Sequence, residues 1–148
     1  MKDTGIITFR FHKNMKSWLD YAGQGFTDGK PELLRLIIMK STMEQPHNSS
    51  LSSFLSRITG DTRQQPSIGG TAVYAVRLPM DIINSARDIA ASKSMDISEW
   101  CAKCLYAWLE SFKQIYERNK ENTEDWVTDY ATSYRAKVEK LANVYAQN

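Results

Sequence analysis

Histidine and cysteine are scarce in this chain, with two of each among 148 residues. His12 and His47 form no His-x-x-x-His pair and no carboxylate–histidine spacing. The sequence also has no Gly-x-x-x-x-Gly-Lys loop and no Gly-x-Ser-x-Gly elbow. Catalysis is therefore not expected, and neither is a cofactor. Cys101 and Cys104 supply only two of the four ligands a structural zinc requires, so no metal is expected. No apolar run approaches the length of a membrane span, which argues against membrane insertion. The opening "MKDTGIITFRFH" lacks the apolar stretch of a secretion signal. Two cysteines without such a signal predict a reducing, cytoplasmic setting and no structural disulfide.

Charge of one sign is also lacking, since the net charge is only +2. It is unevenly spread. Residues 1–70 carry nine Lys/Arg against six Asp/Glu, a net of +3; residues 71–148 carry ten against eleven, a net of −1. So weak a global charge neither demands nor forbids nucleic acid, and a local basic surface would have to hold it. The apolar fraction of 42% is enough for a packed core.

What is present is a pattern that occurs twice. In "IITFRFH" (residues 6–12), Ile7, Phe9 and Phe11 alternate with Thr8, Arg10 and His12, the period of a half-buried strand. Met15, Trp18, Leu19 and Ala22 then share a helical face until "GQG" stops the helix. A second helix opens near "GKPE", with Pro31 suited to its first turn and Gly29-x-x-Glu32 resembling a capping pattern. Further on, "TAVYAVRLP" predicts a strand with Tyr74, Val76 and Leu78 on one face and Val73, Ala75 and Arg77 on the other. "MDIINSARDIAAS" predicts a helix, "KSM" a turn, and Asp96-x-x-Glu99 a capping box opening the next helix. An offset of 67 residues places Arg10 on Arg77, Phe11 on Leu78, Glu32 on Glu99 and Leu33 on Trp100.

Four segments follow: a first strand-helix-helix repeat (1–43), a Ser-, Gly-, Gln- and Pro-rich linker (44–70), a second repeat (71–112) and a helical extension (113–148). Leu51, Phe54, Leu55 and Ile58 have helical spacing, so a short helix is expected inside the linker. One strand with two helices cannot bury enough surface to stand alone. Two such units can pair their strands antiparallel and close their helices over the inner face. The outer face of a two-stranded ribbon fits the major groove of DNA, and helix N-termini beside it offer amides to phosphates.

The run "YAVRLPMDIINSARDIAASKSMDISEWCAKCLYAWL" (74–109) resembles a ribbon-helix-helix domain, the family of the Arc and methionine repressors. The likeness rests on an alternating strand ending in Arg77-Leu78-Pro79, then a helix, a short polar turn, and Ser98-Glu99 before an apolar helix. Residues 5–42 resemble it more loosely, since His12 stands in place of the proline. The resemblance implies a mainly α fold with a two-stranded antiparallel ribbon, a tandem pseudo-dimer within one chain with C-terminal helices added. It implies binding of double-stranded DNA through the major groove by Ile6, Thr8 and Arg10 and by Val73, Ala75 and Arg77. Arginine bonds guanine bidentately, and Thr8 offers a hydroxyl to a base edge or a methyl to a thymine. The base contacts expected are Thr8, Arg10, Ala75 and Arg77. Those expected on phosphates are Gly29, Lys30 and Ile97 near the second-helix starts, and Lys13 after the first strand; Lys2 and Lys16 are further candidates for phosphate contact. Val73 and Ala75 make the site lopsided, and a single-chain pseudo-dimer need not read a palindrome.

The function implied is transcription regulation, foremost repression by occupying an operator. Plasmid relaxosome or partition roles would need the same contact. The alternative of another class is a helical interaction scaffold without DNA. The C-terminal segment, with Trp126, Tyr130, Tyr134, Val138, Leu141 and Tyr145 on one face, either packs on its own domain or serves self-association or a protein partner. Asn122 or Thr123 is expected to cap it. Cys101 and Cys104 lie inside the helix opened by Asp96, on its apolar stripe, which predicts core thiols instead of a redox pair.

Overall fold

The computed structural model describes residues 3–44 and 71–147. The expected linker helix and Lys2 lie outside the described residues. The elements are strand β1 (Thr4–His12), helices α1 (Met15–Gly23) and α2 (Lys30–Met43), strand β2 (Thr71–Pro79), and helices α3 (Met80–Ser92), α4 (Ile97–Asn119) and α5 (Trp126–Gln147). The fold is mainly helical with a small two-stranded antiparallel sheet. No helix among the described residues is long and apolar enough to cross a membrane.

The alternation in both strands decides which ribbon face is buried. Ile7, Phe9, Phe11, Val76 and Leu78 point into the core. The helices cross over beneath them: α4 packs on β1, and α2 packs on β2. Ser98 at the start of α4 donates its hydroxyl to the Thr8 carbonyl at 2.6 Å. The His12 amide donates to the Tyr106 hydroxyl at 3.1 Å. Asp96 caps α4 as its spacing predicts, its carboxylate accepting the Glu99 N–H at 2.8 Å.

Helix α4 continues without a break to Asn119, so the expected boundary at residues 112–113 falls inside it. Its last turns stack against α1 and α5 through Phe112, Trp18, Tyr21 and Trp126. Asp125 caps α5, not Asn122 or Thr123: its carboxylate accepts the Thr128 amide at 3.1 Å and the Thr128 hydroxyl at 2.6 Å. Asn122 instead accepts the Glu124 amide at 3.0 Å, a local turn that competes for the same role.

Helix α5 packs on its own domain. Trp126, Val127, Ala131 and Val138 are buried. The Trp108 indole donates to Tyr130 Oη at 2.7 Å, and Ser85 and Tyr145 share a hydroxyl bond at 2.6 Å. Close approach requires Gly25, because a Cβ there would stand 2.5 Å from the Val127 carbonyl oxygen.

A buried carboxylate fastens α5 to the start of α2. Glu32 Oε2 accepts from Arg135 Nε at 2.8 Å, while Oε1 accepts the Asp28 amide at 3.1 Å. The Arg135 bond holds the Glu32 carboxyl below its ordinary value of 4.5, against the opposing effect of burial. A carboxyl with a depressed folded pKa contributes stability that is fully present above the unfolded pKa. That contribution fades as pH falls through the folded value. Glu32→Gln is therefore expected to cost about 1–2 kcal/mol at neutral pH, since Arg135 is partly solvated. Urea melts of the two proteins should converge progressively below pH 4.5.

Candidate nucleic-acid interface

The outward ribbon face is built from alternate residues of both strands, so the register decides which of them are neighbours. Ile6 lies opposite Arg77, Thr8 opposite Ala75, and Arg10 opposite Val73. All six are exposed. Ile6 and Val73 are 56% and 55% exposed, as outward positions of a half-buried strand are. Each outer row thus pairs one arginine with one β-branched residue, and the central row holds Thr8 and Ala75. The lopsidedness expected from each strand taken singly is confined by this pairing to the centre.

The two arginines stand about 14 Å apart along the ribbon, four residues at roughly 3.4 Å each. That length spans about four base-pair steps of B-form DNA. Arg77 Nη1 donates to Thr4 Oγ1 at 3.1 Å, steadying one guanidinium across the strands. The Arg10 side chain makes no hydrogen bond or ion pair among the described residues. Thr4 was not expected in the site. The 67-residue offset that aligns the arginines also sets Thr4 on Thr71, a signal present in the sequence.

The residues expected on phosphates differ in what already holds them. Lys13 is exposed in the turn after β1. Gly29 takes a φ of 70°, and its amide donates to the Phe26 carbonyl at 3.1 Å, so that donor is engaged in the turn. The Lys30 ammonium lies 2.9 Å from Asp20 and 5.3 Å over the Tyr74 ring. Ile97 is half-buried at the first position of α4, beside the capping carboxylate of Asp96. The residues expected on bases are therefore gathered on one surface, while those expected on phosphates are dispersed.

Cys101 and Cys104 are free thiols buried on the inward stripe of α4. Burial pushes the Cys104 thiol up to about 12 and raises Cys101 as well. A thiol so protonated at neutral pH is a poor nucleophile.

No family model, curated protein or solved structure matches the chain.

Proposed function

We propose that the protein binds double-stranded DNA in a sequence-specific manner as a tandem ribbon-helix-helix pseudo-dimer. In this reading it lays the β1–β2 ribbon in the major groove, and it acts as a transcription regulator, foremost a repressor that occupies an operator. The observation that carries the reading is the outward ribbon face. Two exposed arginines at equivalent repeat positions lie about four base-pair steps apart, on a surface wide enough for one groove. The pairing register adds support: Thr8 lies opposite Ala75, its own counterpart under the 67-residue offset, at the middle of the paired strands, so a two-fold relation between the repeats would centre on the ribbon.

The scaffold alternative needed the aromatic face of α5 as a partner surface. Much of that face is instead turned against α1, α2 and α4, which favours the DNA reading. The test is a salt titration on random-sequence duplex DNA. Log affinity should fall linearly with log salt, by roughly 0.9 per phosphate neutralised. Failure to bind any duplex at low salt would exclude the DNA reading and return the scaffold.

A further inference from the structure

The two ends of the ribbon carry nearly the same base-facing chemistry and opposite backbone-facing chemistry. At one end Arg10 lies on the outward face of β1, two residues before the strand ends at His12, and the exposed lysines Lys13 and Lys16 follow. The repeat offset places these lysines on Met80 and Ile83, which are apolar, and Ile83 is buried. Among the described residues, the Arg77 end thus has no cation at the positions equivalent to these lysines.

That end carries acids instead. Asp3 precedes β1, and its carbonyl accepts the Met80 amide at 3.0 Å, which holds it against the start of α3. Asp81 lies in the first turn of α3 and lines the same groove as Asp3. Its carboxylate complements the α3 dipole, the place a phosphate would otherwise favour. The counterparts of Asp81 and Asp3 under the offset are Asn14 and Gly70, both uncharged. Among the described residues, one end therefore presents Arg10, Lys13 and Lys16, and the other presents Arg77 against Asp3 and Asp81. The arginines are separated by about 14 Å, more than the Debye length of about 8 Å at physiological salt. The acidic end does not cancel the basic one.

We propose that the ribbon engages DNA with a built-in polarity: similar base readout at both ends, and backbone anchoring at the Lys13–Lys16 end alone. This inference rests on the DNA-binding reading and adds a direction to it. Phosphates carry no sequence, so it is the unlike central row, Thr8 opposite Ala75, that can fix which way round the protein sits on a site, and the Lys13–Lys16 end then anchors the backbone on one side of it.

Phosphate-ethylation interference tests the proposal on a selected duplex whose central base pairs are not two-fold symmetric, so that the Thr8–Ala75 row holds the protein one way round. Strong interference should cluster on one side of the two arginine-contacted base pairs. The double variant Lys13→Gln/Lys16→Gln should lower the log–log salt slope by roughly 0.9 for each phosphate released, leaving base preference unchanged. Asp3→Asn/Asp81→Asn should tighten binding to all sequences alike and add interference on the other side. All four positions are exposed, and melting curves verify that the variants fold. Interference of equal strength on both sides, or a salt slope unmoved by the lysine variant, would overturn the polarity while DNA binding itself stands. Failure to bind any duplex would overturn both.

Discussion

Phe112→Ala is expected to destabilise the protein by about 3–5 kcal/mol, the usual cost of emptying a buried aromatic site. Phe112 is fully buried where α1, α4 and α5 meet. Its ring stacks on Trp108 at 5.0 Å and meets Tyr130 at 5.1 Å, Trp126 at 5.8 Å and Trp18 at 6.1 Å. These neighbours belong to three helices and cannot all move inward, so the cavity would persist. Small domains hold about 5–15 kcal/mol in total, so the variant would lose a large part of its stability. A urea melt followed by circular dichroism measures the loss. Phe112→Leu, which keeps most of the volume, should cost clearly less. A loss under about 1 kcal/mol for the alanine variant would mean that α5 does not close over this ring.

The second large effect concerns binding. Arg10→Ala/Arg77→Ala is expected to weaken binding to a selected site by about 2–6 kcal/mol, at about 1–3 kcal/mol for each bidentate contact. The two side chains stand farther apart than the range over which substitutions usually couple, so the single effects should add. Both arginines are exposed, and only the Arg77–Thr4 bond is lost within the protein, so the melting curve should barely move. Each single variant should relax preference at its own base pair only. Arg10→Lys separates charge from geometry, because lysine keeps the attraction to DNA but loses the planar fork. It should retain non-specific affinity and lose discrimination. Unchanged affinity and unchanged preference in the double alanine variant would rule out the ribbon as the reading surface. A binding assay on selected and scrambled duplexes measures both quantities.

The parts of this protein legible in its sequence are those set by local periodicity. Strict alternation in "ITFRF" and "YAVRL" turns Phe9, Phe11, Val76 and Leu78 inward and Thr8, Arg10, Ala75 and Arg77 outward, whatever else the chain does. Asp96 caps α4 because a short acidic side chain three residues before Glu99 reaches the orphan amide with no help from elsewhere. The cap of α5 was less legible. Asn122 and Asp125 both make local side-chain turns, and only the path of the chain selects Asp125. The burial of Cys101 and Cys104 was legible too, because both lie on the same helical stripe as Trp100 and Leu105.

Contacts between distant segments were decided by the tertiary structure alone. The strand register is one: periodicity says which way Val73 points, but only the pairing seats it beside Arg10 and leaves Ile6 beside Arg77. That single fact converts a lopsided face into two similar outer rows around an uneven centre. The Lys30 ammonium looked available for phosphate in sequence, and folding sets it against Asp20 and Tyr74. Glu32 read as part of a capping pattern, and folding adds Arg135 from α5. Local pattern determines the elements and their faces because each residue's direction depends on its immediate neighbours. Partners across the fold depend on how whole faces pack, a property that no short window of sequence contains.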